Sequence, residues 1–356
     1  MTAGAADREA FLSAARGAAR QVVAARGAGL VLDPEQRGRL EAVGTAALDA
    51  AVEATGLPPP SLPVRVSVVD RAQWLEAALD DLLPYFIDML DALSDDETAE
   101  DPRLLEAARK LHPGGAAGAL GLGIGLTIGQ LATRALGTYE LAVPRAEHQD
   151  RLLVLRDNLA DFSQQWAVAS SEVEAWACLT DAVVHLMVVR PHVRQKLTAL
   201  LRAYMSNFGL DSELLGAAMA GRIKGKVDPD TLMATLQTPA QRQPAAELRA
   251  ISAVLFAHAM RVAETGAGEI PPISLRLAEA VRRRRAAMPL RDRLAEFWFG
   301  LTLGPAEQRR GERFLAAIAE RAGEAALPRL WSSADLLPQP EDLDDPERWL
   351  GRAGAA

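Results

Sequence analysis

The sequence predicts an α+β protein, predominantly α-helical, with a small β-sheet. Three observations predict it. Ala-rich segments with apolar residues at helical spacing fill most of the 356 residues. The stretch "VRVSVVD" (64–70) alternates instead, with Val64, Val66 and Val68 on one side, the strongest strand signal in the chain. Between them in character, "WACLTDAVVHLMVV" (176–189) reads as a buried helix through the middle of the chain.

Bulk properties bound the function. Hydrophobic content of 49% with 24% charged residues is enough to bury a full core and too apolar for disorder. A net charge of -8 disfavours a nucleic-acid surface, because phosphate binding needs a positive field. The single cysteine, Cys178, allows no internal disulfide. The N-terminal stretch spreads charges through its first turns and has no continuous apolar run, so a signal peptide is not expected and a cytoplasmic location is.

Taken in order, residues 8–56 form helices interrupted near "RGAGLVLDPEQRG" (26–38), where Asp33-Pro34-Glu35 starts the second helix with proline at its first position. "GLPPPSLP" (56–63) ends that region, and the strand at 64–70 follows. Residues 71–93 return to helix before the acidic loop "SDDETAEDP" (94–102). From Pro113 to Thr133 the chain carries no charge, a length close to the roughly 20 residues that span a bilayer. Gly121, Gly125 and Gly129, at i, i+4 and i+8, with Thr133 and Gly137 continuing the series, instead predict a helix whose bare face lets another element approach. No phosphate-binding glycine pattern can be read there.

"DRLLVLRDNL" (150–159) is expected to be a second, buried strand. The central helix then begins at Ser171, with Glu174 three residues on as a capping box, and ends before Pro191. Val173, Trp176, Ala177, Thr180, Val183, Val184 and Met187 form one apolar stripe along it. Residues 192–330 are expected to be helical, with breaks at "VDPD", "TPAQRQP", "GAGEIPP" and "MPL". The organisation expected is an N-terminal part over 1–200, a helical part over 201–332 and an extended tail over 333–356, packing by Leu337, Trp349 and Leu350.

Several stretches follow one another in the order of a known family: "SVVDRAQWL" (67–75), "GLGIGLTIGQLATRALGTYEL" (121–141), "RLLVLRDNL" (151–159), "WACL" (176–179) and "RLWSSADLLPQPEDLDDPERWL" (329–350). With these motifs the chain resembles the zincin-like metallopeptidases, some of whose members carry the label "coenzyme F420 biosynthesis-associated". The resemblance implies a zincin-like fold around a central active-site helix. It also implies H-E-x-x-H after "WACL", with a later L-E-G-H-A segment whose glutamate completes a zinc site. Position by position, the first histidine falls on Thr180, the glutamate on Asp181, the second histidine on Val184 and the later glutamate on Phe256; His258 alone keeps the family residue.

That departure removes the chemistry. A catalytic zinc takes three protein ligands and an open position for water, and histidines at i and i+4 leave one helix face about 6 Å apart. Val184 and Phe256 have no lone pair to offer, and a neutral threonine hydroxyl is a poor ligand. Without the metal no bound water is acidified, so Asp181 could still act as a base but, shorter than Glu, would have no activated water to deprotonate.

The remaining polar residues admit rival readings. Asp181 and His185, at i and i+4, could with His258 form a shifted Asp-His-His metal site; the plainer reading is an edge ion pair plus a core histidine bonded to a backbone carbonyl. His112 and His192 sit beside prolines at helix ends, His148 in a charged loop, and Cys178 reads as a buried inert thiol. The basic run "VRRRRAAMPLRDR" (281–293) is expected to be a solvated helix face with Leu277, Val281 and Leu290 inward, and "FWFGL" (297–301) to be core. No Ser-His-Asp arrangement can be nominated.

The expectation is therefore a non-catalytic pseudoenzyme of this family that binds a peptide or protein partner in the former cleft, with no cofactor. The alternative is a metal-dependent hydrolase with zinc on Asp181, His185 and His258. A protein anchored in a membrane by 113–133 is the third reading, and the oligomeric state is left open.

Overall fold

Helix α1 (Ala5–Ala24) and the glycine-rich helix α4 (Gly115–Ala132) meet backbone to backbone. In this computed structural model, which describes residues 3–27, 29, 33–95, 114–147, 149–208 and 237–355, a Cβ on Gly121 or Gly125 would stand 2.2 Å from the carbonyl oxygen of Phe11 or Ala15. One on Gly129 would come within 2.8 Å of the oxygen of Ala19. Small residues are therefore a steric condition of this pairing. Helix α4 is long and apolar enough to cross a membrane, yet 56% of it is buried inside the protein. His112, His148 and "VDPD" lie outside the described residues.

Helix α2 (Pro34–Thr55) starts as expected: the Asp33 carboxylate accepts the backbone N–H groups of Glu35 and Gln36 at 2.9 and 3.0 Å, and Pro34 occupies the first turn. Strand β1 (Arg65–Val69) pairs in parallel with β2 (Arg151–Leu155), from Arg65 opposite Arg151 to Val69 opposite Leu155. Val66 and Val68 of β1 face the core, while Leu152 to Leu155 of β2 are all buried, as a strand covered on both faces must be. A parallel pair needs a long crossover, and α3 (Arg71–Asp95) and α4 lie within it.

The second strand is shorter than its sequence suggests. Residues 156–159 begin helix α5 (Arg156–Trp166), because Asn158 turns inward and donates to the carbonyls of Ala132 and Ala135 at 3.0 and 2.6 Å. The central helix α6 (Ser170–Val188) is buried on nearly all sides, from Val173 to Val188. The capping box does not form. Glu174 reaches Arg39 of α2 at 2.9 Å instead, and the Ser170 hydroxyl sits 3.0 Å from that of Ser163.

Helices α7 (Pro191–Ser206) and α8 (Pro239–Thr265) pack beside α6. "TPAQRQP" is no break: Thr238 and Gln241 form a reciprocal capping box, and this segment is the first turns of α8. Helices α9 (Leu275–Ala286), α10 (Leu290–Trp298) and α11 (Pro305–Ala322) follow. A boundary at 200 falls inside α7, and one continuous apolar cluster runs from Phe11 to Trp349.

The last segment is folded, not extended. Helix α12 (Pro346–Ala355) buries Trp349 completely, its indole N–H donating to the Leu336 carbonyl at 2.8 Å. Buried Asp342 receives both ends of the Arg352 guanidinium. The Pro- and Asp-rich composition hid a short helix that the aromatic anchor supplies with a core.

Candidate functional site

A cleft of about 200 Å³ opens between α6, α8 and α9, with residues 136–140 as its floor and α11 at its rim. Each wall is one face of a helix. Trp176, Ala177, Thr180, Asp181 and Val184 come from α6, and Ala253, Phe256, Ala257, Met260 and Glu264 from α8, both at i, i+3, i+4 spacing. The four positions that the family resemblance assigns to metal chemistry thus share one cavity. Each is occupied by something else.

The Thr180 hydroxyl donates back to the carbonyls of Trp176 and Ala177, at 2.9 and 3.2 Å. Val184 is 1% exposed, packed as core. The Phe256 ring carries the guanidinium of Arg285 over it, 5.9 Å from its centroid. Asp181 accepts two backbone N–H bonds, from Thr138 at 2.9 Å and Tyr139 at 2.7 Å.

The carboxylate of Asp181 is thus a latch on the loop from 136 to 140. That loop also receives the N–H of Leu155 on the carbonyl of Leu136 and the N–H of Leu153 on the Thr138 hydroxyl, so it covers an edge of β2. Gly137 is not part of a helix stripe, since α4 ends at Ala132; a Cβ there would meet the Asp181 carboxyl at 2.9 Å. Burial pushes the Asp181 carboxyl up to about 6, against the pull of the Tyr139 and Thr138 N–H groups.

The histidines turn away from the cleft. His185 is fully buried, with Nδ1 3.0 Å from the Tyr139 hydroxyl and Nε2 without a partner among the described residues. His258 accepts the indole N–H of Trp331 at Nδ1, 3.1 Å away, so its partner is a side chain and not a backbone carbonyl. Burial lowers both imidazoles to about 4 and keeps them neutral. Neither lines the cavity, and among the described residues no three His, Cys, Asp or Glu side chains converge to hold a metal. The set Asp181, His185 and His258 is not assembled: no ion pair joins Asp181 to His185, because each is already bonded to a different atom of the 136–140 loop.

The side chains at the four family positions do not fit zinc. One hydroxyl is spent on its own helix, one carboxylate on two amides, and two positions are hydrocarbon. His192 lies in the first turn of α7, not at a helix C-terminus, and donates Nε2–H to the Trp331 carbonyl at 3.0 Å. Cys178 is buried, its thiol pushed up to about 12 by burial, and so inert. "FWFGL" is core at Phe297, Phe299 and Leu301.

The basic run divides. Arg282 and Arg283 are exposed and pair with Glu279, as a solvated face should. Arg284 and Arg285 instead form cleft wall. Arg284 donates to the Arg134 carbonyl at 2.6 Å, lies 3.3 Å from Glu140 and sits over the Phe162 ring at 5.6 Å. Arg285 reaches Glu296 and the Leu303 carbonyl. A signal for this existed: Val281 faces inward, and 284 and 285 are i+3 and i+4 from it.

A family model described as "Zincin-like metallopeptidase" matches residues 12–350. The chain belongs to the zincin-like metallopeptidase family. Its fold is shared with a crystal structure of a "putative hydrolase with a novel fold" from Chloroflexus aurantiacus, with a TM-score of 0.69, 20% identity, and coverage of 97% of this chain and 98% of that one. At that identity the likeness speaks for the fold alone. A search of curated proteins gave no match. As a zincin-like family member the chain has a predominantly helical α+β fold, and the cleft described above runs along its central helix.

Proposed function

We propose that this zincin-like protein is a non-catalytic member of its family, a pseudoenzyme that binds a peptide segment of a partner in the former active-site cleft. One observation supports the reading above all: Thr180, Asp181, Val184 and Phe256 line a single open cavity, and each of these four is committed to internal bonding or is hydrocarbon. Replacing a buried polar constellation by fitted apolar groups is often neutral or stabilising, so such a cleft can persist after its chemistry is lost. Fold alone does not fix function; an open apolar cavity with few polar groups is the form that binding sites take.

The test is direct. Purified protein supplied with zinc is incubated with a fluorescent peptide library, and both cleavage and retention of peptides are measured. The reading expects retention without cleavage. Retention should fall when Met260→Trp narrows the cleft from its α8 wall. Zinc-dependent cleavage that tracks with the protein through purification contradicts it.

A further inference from the structure

Among the charges that line the cleft, the two signs differ in how they are compensated. Each lining arginine lies within ion-pair distance of a carboxylate: Arg282 is 2.9 Å from Glu279, which also holds Arg283, Arg284 is 3.3 Å from Glu140, which also holds Arg134, and Arg285 is 3.3 Å from Glu296. Three carboxylates on the lining have no such partner. Asp181 is held by Thr138 and Tyr139 of the 136–140 loop and by no arginine or lysine side chain among the described residues. Glu264 at the end of the α8 wall and Glu312 on α11 are exposed side chains, and neither forms an ion pair or side-chain hydrogen bond among the described residues. These two are close enough to act on each other: partial burial, then the neighbouring Glu264, raises the Glu312 carboxyl above its ordinary range, against a weaker pull from Arg282 and Arg309. At the mouth, Glu264 and Glu312 are the lining carboxylates that form no direct ion pair among the described residues.

Apart from Tyr139, Thr180 and Gln308, the rest of the lining is apolar. Trp176, Val184, Phe256 and Met260 form facing walls between Asp181 and the carboxylates of the mouth. A cavity of about 200 Å³ is smaller than the roughly 300 Å³ at which sites for whole drug-sized ligands begin. It suits one or two side chains of an extended segment passing over it. The complement to such a surface is a cation beside an apolar group: the cation neutralises the mouth while the hydrocarbon fills the cavity.

We infer that the cleft selects a peptide segment in which a lysine or arginine is flanked by large apolar side chains, the cation resting between Glu264 and Glu312 and an apolar side chain between Val184 and Phe256. This rests on the reading of the cleft as a binding site and adds the chemistry of what it binds. The two carboxylates are on the surface of long helices, so they can be changed without disturbing the core.

The experiment compares three dansyl-labelled nonapeptides, identical except that leucine and phenylalanine alternate with lysine, glutamine or glutamate. Each is titrated by fluorescence anisotropy against the wild-type chain, the Glu264→Gln/Glu312→Gln double variant and Met260→Trp. The lysine peptide should bind most tightly, with an affinity that falls as salt rises. The double variant should weaken it about threefold to tenfold, the effect of two exposed ion pairs, and flatten the salt dependence. Met260→Trp should weaken the lysine and glutamine peptides together. Equal binding of all three peptides, sensitive to Met260→Trp, overturns the charge selection and leaves peptide binding in the cleft standing. Lysine-peptide binding that ignores both variants overturns the inference by placing the peptide elsewhere on an acidic surface. Absence of binding by any peptide overturns both readings.

Discussion

Replacing Asp181 by asparagine tests what the carboxylate at the former base position does. It accepts two backbone N–H groups, at 2.9 and 2.7 Å, and is pushed up to about 6 from an ordinary 3.8 by burial. A carboxyl whose folded value exceeds its unfolded one stabilises the folded chain fully below the lower value. That stabilisation is lost as pH rises through the higher one. Here the window runs from 3.8 to about 6, and its depth is about 3 kcal/mol. Asparagine is neutral throughout, so the variant lacks that loss. It leaves one amide N–H facing its NH₂, a cost of roughly 1–3 kcal/mol. The two effects nearly cancel above pH 6, and the variant should then lie within about 2 kcal/mol of wild type. Urea denaturation of both proteins from pH 3.5 to 7.5 reads the difference directly. The wild type should lose about 3 kcal/mol relative to the variant as pH rises across that window. Parallel curves would refute the argument that burial outweighs the two N–H bonds and raises this carboxyl in the folded chain.

The buried histidines give the opposite pH signature: held near 4 against 6.5, each contributes stability present above 6.5 and lost as pH falls toward 4. His258→Asn should erase about 3 kcal/mol of that slope, by the same denaturation series. Gly125→Ala should destabilise by roughly 1–3 kcal/mol because its Cβ meets the Ala15 oxygen. Gly123→Ala, with nothing within 4 Å, should be neutral or stabilise by up to about 1 kcal/mol; thermal melts of the pair separate packing from helix propensity. Trp349→Ala, deleting a fully buried indole in α12, should cost about 3–5 kcal/mol, and a loss under about 1 kcal/mol would mean that the C-terminal helix does not hold the core together.

What the sequence made legible follows from the range of the forces involved. Asp33 with Pro34, the Gly121–Gly125–Gly129 stripe and the alternation at 66 and 68 are local patterns with local causes, and each is found where it was expected. The apolar stripe on α6 was legible too, and with it the inward placement of Val184. The errors have long-range causes. Glu174 leaves its own helix for Arg39, 135 residues away in sequence, and Asn158 turns into α5 by reaching back to the carbonyls of Ala132 and Ala135 at and just beyond the end of α4. Asp181 could be read as a metal ligand or an edge ion only while its true partners, the amides of Thr138 and Tyr139, were out of view. The cleft wall of Arg284 and Arg285 was written in helical spacing but masked by the charge of its neighbours.

The proposal that Thr180, Asp181, Val184 and Phe256 no longer hold a catalytic zinc in this zincin-like protein is tested most directly by elemental analysis. Protein purified without a tag, dialysed against zinc and then against metal-free buffer, should retain far less than one zinc per chain, and Asp181→Ala should change nothing. One tightly held zinc per chain, lost in Asp181→Ala or His185→Ala, would contradict it.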